Sequence, residues 1–179
     1  MKIAKFLPHA LIIAVLAAGL QYIDFETKNM VCAWIAFQAW ALYFMAGCTI
    51  QGGAKSLVGW LCGIAASIAI VEAGTAFSSG MVPKFAFPIA VFIIAFVVIL
   101  FEKAPDIFTF IPSWFVAAGA FFAVHADGSK YSQMTLTKIV LSGVVGLLFG
   151  VMTVFLRGKY SEMIGENADE AAEEAAEAA

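Results

Sequence analysis

Apolar residues along this chain occur in long continuous runs, separated by short polar segments. The six runs cover residues 6–23, 30–48, 57–77, 85–101, 106–125 and 137–156. A helix needs about 17–25 apolar residues to cross a bilayer, so each run predicts a transmembrane helix. Pro112 interrupts the fifth run and predicts a kink or a half-helix there. The pattern therefore predicts an all-α integral membrane protein with about six transmembrane helices, consecutive ones antiparallel.

The composition divides the chain into an apolar body and an acidic tail. Of the 179 residues 63% are hydrophobic and only 13% are charged, whereas a soluble domain carries about 25% charged residues. Seven of the 13 acidic residues lie beyond residue 160, which leaves six against ten Lys and Arg in the body. We predict a transmembrane domain over 1–160 and a solvated tail over 161–179.

The basic residues predict the orientation. With six spans both termini share one side, and that side collects six of the ten Lys and Arg. Loops rich in Lys and Arg stay in the cytoplasm. Both termini are therefore expected to be cytoplasmic.

Small residues recur at intervals of four in the third and sixth runs, each time after a lysine. The two series are Gly59, Gly63 and Ser67 after Lys55, and Ser142, Gly146 and Gly150 after Lys138. Small side chains on one helix face let another helix approach closely. This ladder is consistent with ordinary helix packing or with an internal duplication.

The duplication hypothesis pairs the two halves of the chain. The tryptophans Trp40 and Trp114, upstream of the two ladders, are 74 residues apart and the lysines 83 apart, so the second copy needs nine extra residues. Copies of three helices each would have opposite orientations, with repeats over roughly 6–80 and 85–157. Inverted repeats recur in transporters that hold the solute between the halves.

Two signatures in the chain carry a family resemblance. The first is Trp34-x-x-Phe37, Tyr43-Phe44, Cys48 and Gln51-Gly52-Gly53-x-Lys55, and the second runs from Phe110-Ile111-Pro112 through Gly119-Ala120 to the last helix around Gly143–Gly150. With these the chain resembles small bacterial inner-membrane proteins catalogued as domain of unknown function 1097, over roughly residues 27–160. It departs from them at Pro112-Ser113-Trp114. The resemblance implies the helical architecture and the inner-membrane location, but no activity.

Polar side chains within apolar runs are costly and therefore mark candidate sites. Glu72 near the end of the third run is expected either to line a solute path or to anchor the helix at the outer interface. Gln38 in the second run is expected to bridge helices or line the path. His125 closes the fifth run as a solvated cap or as a path residue.

The segment Gln51-Gly52-Gly53-Ala54-Lys55 predicts a tight interhelical turn, because glycine adopts positive φ readily. Lys55 then lies at the headgroups, or the glycine amides face a solute. Aromatic rings also form constrictions for small solutes. The residues assigned to a solute path are Glu72, Gln38, His125, Gln51, Lys55, Trp40 and Trp114.

The sequence argues against several classes of function. Cys32, Cys48 and Cys62 lack the spacing of a metal site, no cofactor signature is present, and no catalytic constellation supports an enzyme. The dispersed basic residues do not fit nucleic acid. We therefore expect a channel or facilitator for a small neutral or weakly ionisable solute, such as an amide like urea, ammonia or a short carboxylic acid. Expected partners are the lipid bilayer, that solute and further copies of the chain; the alternative is a membrane subunit that recruits a partner through its acidic tail.

Overall fold

The computed structural model describes residues 3–80, 82–126, 128 and 130–164. These residues form α-helices and two short 3-10 turns, and no strand occurs in this part of the chain. The helices are α1 (Ile3–Glu26), α2 (Ala33–Met45), α3 (Ile50–Ser78), α4 (Pro83–Leu100), α5 (Ile111–Val124) and α6 (Gln133–Ile164). The 3-10 turns, Phe101–Lys103 and Asp106–Phe108, join α4 to α5.

Within the described residues, five segments are long and apolar enough to cross a membrane. They are Phe6–Glu26, Ile50–Ser78, Lys84–Lys103, Asp106–Val124 and Gln133–Ile164, with mean hydropathies between 1.8 and 2.7. The prediction of an all-helical, multi-pass membrane protein is thus confirmed. The remaining helix, α2, has 13 residues, which is about 20 Å at 1.5 Å per residue, against a hydrocarbon core of about 30 Å.

The connections on both sides of α2 contain left-handed residues. Lys28 and Asn29, with φ of 50° and 66°, follow α1, and Gly47 and Cys48, with φ of 86° and 56°, follow α2; α2 itself begins after the extended Cys32. These conformations do not continue an α-helix. The predicted span over 30–48 was therefore too long.

The predicted turn over residues 51–55 is wrong, because these residues form the start of α3. The Thr49 hydroxyl accepts a hydrogen bond from the Gly52 N–H at 2.9 Å, which is the usual N-cap arrangement. A Cβ on Gly52 would lie 2.9 Å from the Ala46 carbonyl carbon. Glycine is thus needed here for close packing, and the turn itself lies at Gly47 and Cys48.

Pro112 does not kink the fifth helix, but the other alternative, a shortened helix, is observed, because the regular α-helix begins only at Ile111 and has 14 residues. Pro112 occupies the first turn of α5, where a helix leaves its N–H groups unpaired and proline is well tolerated. The 3-10 turn Asp106–Phe108 precedes this first turn of α5.

The six helices form a bundle in which consecutive helices are antiparallel. Four helices, α2, α3, α5 and α6, share the largest buried cluster, and α1 and α4 lie outside them. Within the four, α2 packs along α6 and α5 packs along α3, each pair running parallel. His9 of α1 and Tyr160 of α6 meet at one end of the bundle, with ring centroids 5.1 Å apart. This end is called the proximal end, and the opposite end is called the distal end.

Candidate functional site

The small-residue ladders lie at two close helix contacts. A Cβ on Gly63 of α3 would lie 2.8 Å from the Trp114 Cα and 2.9 Å from the Ala117 Cβ of α5. A Cβ on Gly146 of α6 would lie 2.8 Å from the Ala36 carbonyl carbon and 2.9 Å from the Ala39 Cβ of α2. At both contacts the two helix backbones therefore approach so closely that only glycine fits between them.

The other ladder positions are buried in the same two contacts. A Cβ on Gly59 would lie 3.1 Å from the Phe110 carbonyl oxygen, and one on Gly150 would lie 2.6 Å from the Tyr43 Cβ. The Ser142 hydroxyl accepts a hydrogen bond from the Cys32 N–H at 2.8 Å, while Ser67 donates to its own helix at the Gly63 carbonyl. Both hydroxyls are thus satisfied within the bundle.

Trp60 marks the point where α3 crosses α6. Its side chain is fully buried and packs on Gly143, where a Cβ would lie 2.6 Å from the indole Cε2. The indole N–H donates to the Ile139 carbonyl at 3.2 Å. A bulky side chain in one helix thus fills the space that a glycine leaves in the other.

A polar cluster lies at the proximal end. Lys55 pairs with Asp106 at 2.6 Å, and the Gln51 amide donates to the same carboxylate at 3.4 Å. The Asp106 side chain is 66% exposed, so water screens the pair and its contribution to stability is small, about 0–1 kcal/mol. The cluster joins the start of α3 to the connection between α4 and α5.

A second polar cluster lies at the distal end. The Tyr131 hydroxyl donates to Glu72 at 2.7 Å, and Glu72 is exposed. This hydrogen bond to the carboxylate raises the pKa of Tyr131 above its ordinary 10.0, with smaller contributions from desolvation and the negative charge. His125 precedes Tyr131 in the sequence. Its ring nitrogens lie 2.7 Å from the Phe121 carbonyl and 3.2 Å from the Thr135 hydroxyl.

The remaining predicted path residues lie elsewhere. Gln38 is exposed on α2 and forms no hydrogen bond with any described residue, so the expected bridge between helices is not formed there. Trp40 belongs to the cluster between α1, α2 and α6, and Trp114 to the one between α3, α4 and α5. Six of the seven predicted residues therefore divide between two ends and two clusters, and Gln38 lies apart from them on the surface of α2.

The two close glycine contacts do not involve Trp40 and Trp114 in the same way. Trp114 faces Gly63, whereas the residue that faces Gly146 in the other contact is Ala36, one helical turn before Trp40. Ala36 and Trp114 are 78 residues apart, whereas Trp40 and Trp114 are 74 apart.

Buried apolar side chains of α2, α3, α5 and α6 pack together in the middle of the bundle. Two depressions, of about 320 and 390 Å³, both open at the surface, one beside the α1–α2 connection and one along α6. The buried hydroxyls of Ser56, Ser113 and Thr153 donate to helix carbonyls. Among the described residues no group of His, Cys, Asp and Glu has the arrangement of a metal site.

Three polar residues with defined contacts were missed by the sequence reasoning. Asp24, at 5% exposure, accepts a hydrogen bond from the Ala33 N–H at 2.9 Å and so caps α2. Asp106 and Tyr131 pair with the predicted Lys55 and Glu72. Asp24 lies inside α1, nine residues before the N–H that it accepts from, and the partners of Asp106 and Tyr131 are more than 50 positions away. Neither arrangement leaves a local signal in the sequence.

The comparisons with known proteins yield one family. A family model described as "Protein of unknown function (DUF1097)" matches residues 10–157. Searches of curated proteins and of solved structures each give no match.

Proposed function

The chain belongs to the DUF1097 family, and we propose that it is a small-solute facilitator made of two inverted three-helix halves, α1–α3 and α4–α6. Its proposed location is the bacterial inner membrane, with both termini in the cytoplasm. The helix bounds support the two halves: α5 starts 78 residues after α2, at 111 against 33, and α6 starts 83 after α3, at 133 against 50.

The observation that carries this proposal is the agreement between the two outer clusters. Leu16, Leu20 and Ile23 of α1 belong to one cluster, and the residues 78 positions later, Ile94, Val98 and Phe101, belong to the other. On α2 and α5 the same separation relates Ala33 and Ala36 to Ile111 and Trp114. On α6 and α3 a separation of 83 relates Val145 and Phe149 to Cys62 and Ala66.

The crossing of α3 and α6 fits a twofold relation between the halves. Trp60 and Gly143 are 83 residues apart, the separation that links α3 to α6. They would therefore be equivalent positions of the two halves that contact each other. A pseudo-twofold axis in the membrane plane would pass close to this contact. In inverted-repeat transporters the solute site lies near the midplane where the halves meet, so we place the proposed path beside Trp60.

The contacts between the halves fit a closed state of that path. At the proximal end Lys55 of one half binds Asp106 of the other, and at the distal end Glu72 binds Tyr131. Between the ends the shared core is apolar, with residues such as Ile64, Ala117 and Leu147. An apolar interior disfavours ions, which supports a small neutral or weakly ionisable solute: urea-like amides, ammonia or a short carboxylic acid.

The test is a flux panel with the purified protein in liposomes. We expect faster entry of at least one of urea, ammonia and acetic acid than in protein-free liposomes. Trp60→Ala should increase this flux, because it removes the indole ring that fills the contact with Gly143. The external variant Phe92→Ala should leave the flux unchanged, because Phe92 is 72% exposed on α4. Equal rates for all three solutes with and without protein contradict a facilitator.

The tightly packed interior also favours a second candidate, a membrane subunit that carries no solute. Its partner would bind the acidic tail, whose residues 165–179 lie outside the described residues. Deleting 165–179 separates the candidates: a facilitator keeps its flux, whereas a recruiting subunit loses its partner in a co-purification from native membranes.

A further inference from the structure

The depression beside the α1–α2 connection has the composition of a headgroup site. It has a volume of about 320 Å³ and is lined by Gln21, Asp24, Phe25, Lys28, Asn29 and Trp34. Two opposite charges and two amides thus face one small volume. We propose that it binds the zwitterionic headgroup of a phospholipid with a primary amine, such as phosphatidylethanolamine.

The carboxylate of Asp24 supplies the site for the ammonium group. Asp24 is 5% exposed, and its Oδ2 accepts from the Ala33 N–H. Asp24 also lines the depression. A carboxylate that is fixed and largely desolvated binds a primary ammonium through strong charge-assisted hydrogen bonds. The Trp34 ring in the same depression is available for a cation–π contact.

Lys28 supplies the opposite charge for the phosphate. It is exposed, and its backbone is held in the left-handed region, with φ of 50°, followed by Asn29 with φ of 66°. The turn is fixed by a hydrogen bond from the Asn29 N–H to the Asp24 carbonyl at 2.8 Å. This arrangement places the ammonium of Lys28 and the carboxylate of Asp24 on one depression, matching a zwitterion.

The surrounding aromatic residues favour a lipid over a free solute. Tyr22, Phe25 and Trp34 are 65%, 83% and 67% exposed at the distal end of the apolar helix α1 and the start of α2. Exposed aromatic rings at helix ends lie at the level of the headgroups. A ligand bound here therefore has its headgroup in the depression and its acyl chains along α1.

The experiment measures binding of short-chain phosphatidylethanolamine to the full chain in detergent by native mass spectrometry. Asp24→Asn keeps an oxygen for the Ala33 N–H and removes the charge, and Lys28→Gln removes the opposite charge. Each should weaken binding about tenfold, the typical loss for one charged hydrogen bond. Lys84→Gln is the matched control, because Lys84 is exposed at the same end over the Phe85 ring and should bind as the unchanged chain does.

Two further ligands separate the alternatives. Short-chain phosphatidylcholine has no N–H on its ammonium and should bind about tenfold more weakly, since it cannot donate to Asp24. Soluble phosphoethanolamine has the headgroup without acyl chains and should bind more weakly still. Equal binding of the two lipids, or unchanged binding in both Asp24→Asn and Lys28→Gln, overturns the site. Equal binding of phosphoethanolamine and the ethanolamine lipid overturns its assignment to a lipid.

Discussion

Replacing Gly63 with alanine tests the close contact between α3 and α5. The added methyl group would lie 2.8 Å from the Trp114 Cα and 2.9 Å from the Ala117 Cβ, distances that real side chains do not tolerate. The nearest atoms belong to backbone and to a short side chain, so they cannot rotate away and the helices must separate. Overpacking of this kind costs about 1–3 kcal/mol.

Alanine also has a higher helix propensity than glycine, by about 1 kcal/mol, and this gain must be removed from the comparison. Gly119→Ala is the matched control, because Gly119 lies in the middle of α5 with no atom within 4 Å of a Cβ. We expect Gly63→Ala to be less stable than Gly119→Ala by about 1–3 kcal/mol. Gly146→Ala, with equally close atoms of Ala36 and Ala39, should behave like Gly63→Ala.

The assay is reversible unfolding of each variant in mixed detergent micelles, followed by circular dichroism and by tryptophan fluorescence. Gly63→Leu should lower stability further, because three more carbons enter the same contact. If Gly63→Ala and Gly119→Ala unfold at the same denaturant concentration, the α3–α5 contact does not depend on glycine and the packing argument is refuted.

Three other predictions concern the polar ends. Glu72→Gln should lower the pKa of Tyr131 towards 10.0, as measured by tyrosinate absorbance, because the carboxylate favours the protonated phenol; in the unchanged chain the stabilisation from this bond is lost only as the pH rises through the raised pKa. A double-mutant cycle of Lys55→Gln and Asp106→Asn should give a coupling of about 0.2–1 kcal/mol that salt reduces, and a coupling that salt leaves unchanged would contradict the exposed geometry. Reporter fusions at the two termini should both report the cytoplasm, and opposite signals would mean an odd number of crossings.

The sequence alone determined the class of the protein, because hydrophobic runs of membrane length have few other structural solutions. Five of the six runs correspond to segments long enough to cross a membrane. The ladder of small residues also predicted close contacts, since its period of four keeps one helix face in register.

Tertiary structure decided which distant side chains pair and which residues of neighbouring helices touch. Lys55 and Asp106 are 51 positions apart, and local sequence contains no information on which distant carboxylate a lysine meets. The end of α2 was set by the left-handed Gly47 and Cys48 and its start by the extended Cys32, and hydropathy detects neither. Packing also decided which residues meet the close-contact glycines: Gly63 meets Trp114, whereas Gly146 meets Ala36, one helical turn before Trp40. Because one turn takes 3.6 residues, two residues four apart lie on nearly the same helix face. Hydropathy therefore does not show which of them makes the contact.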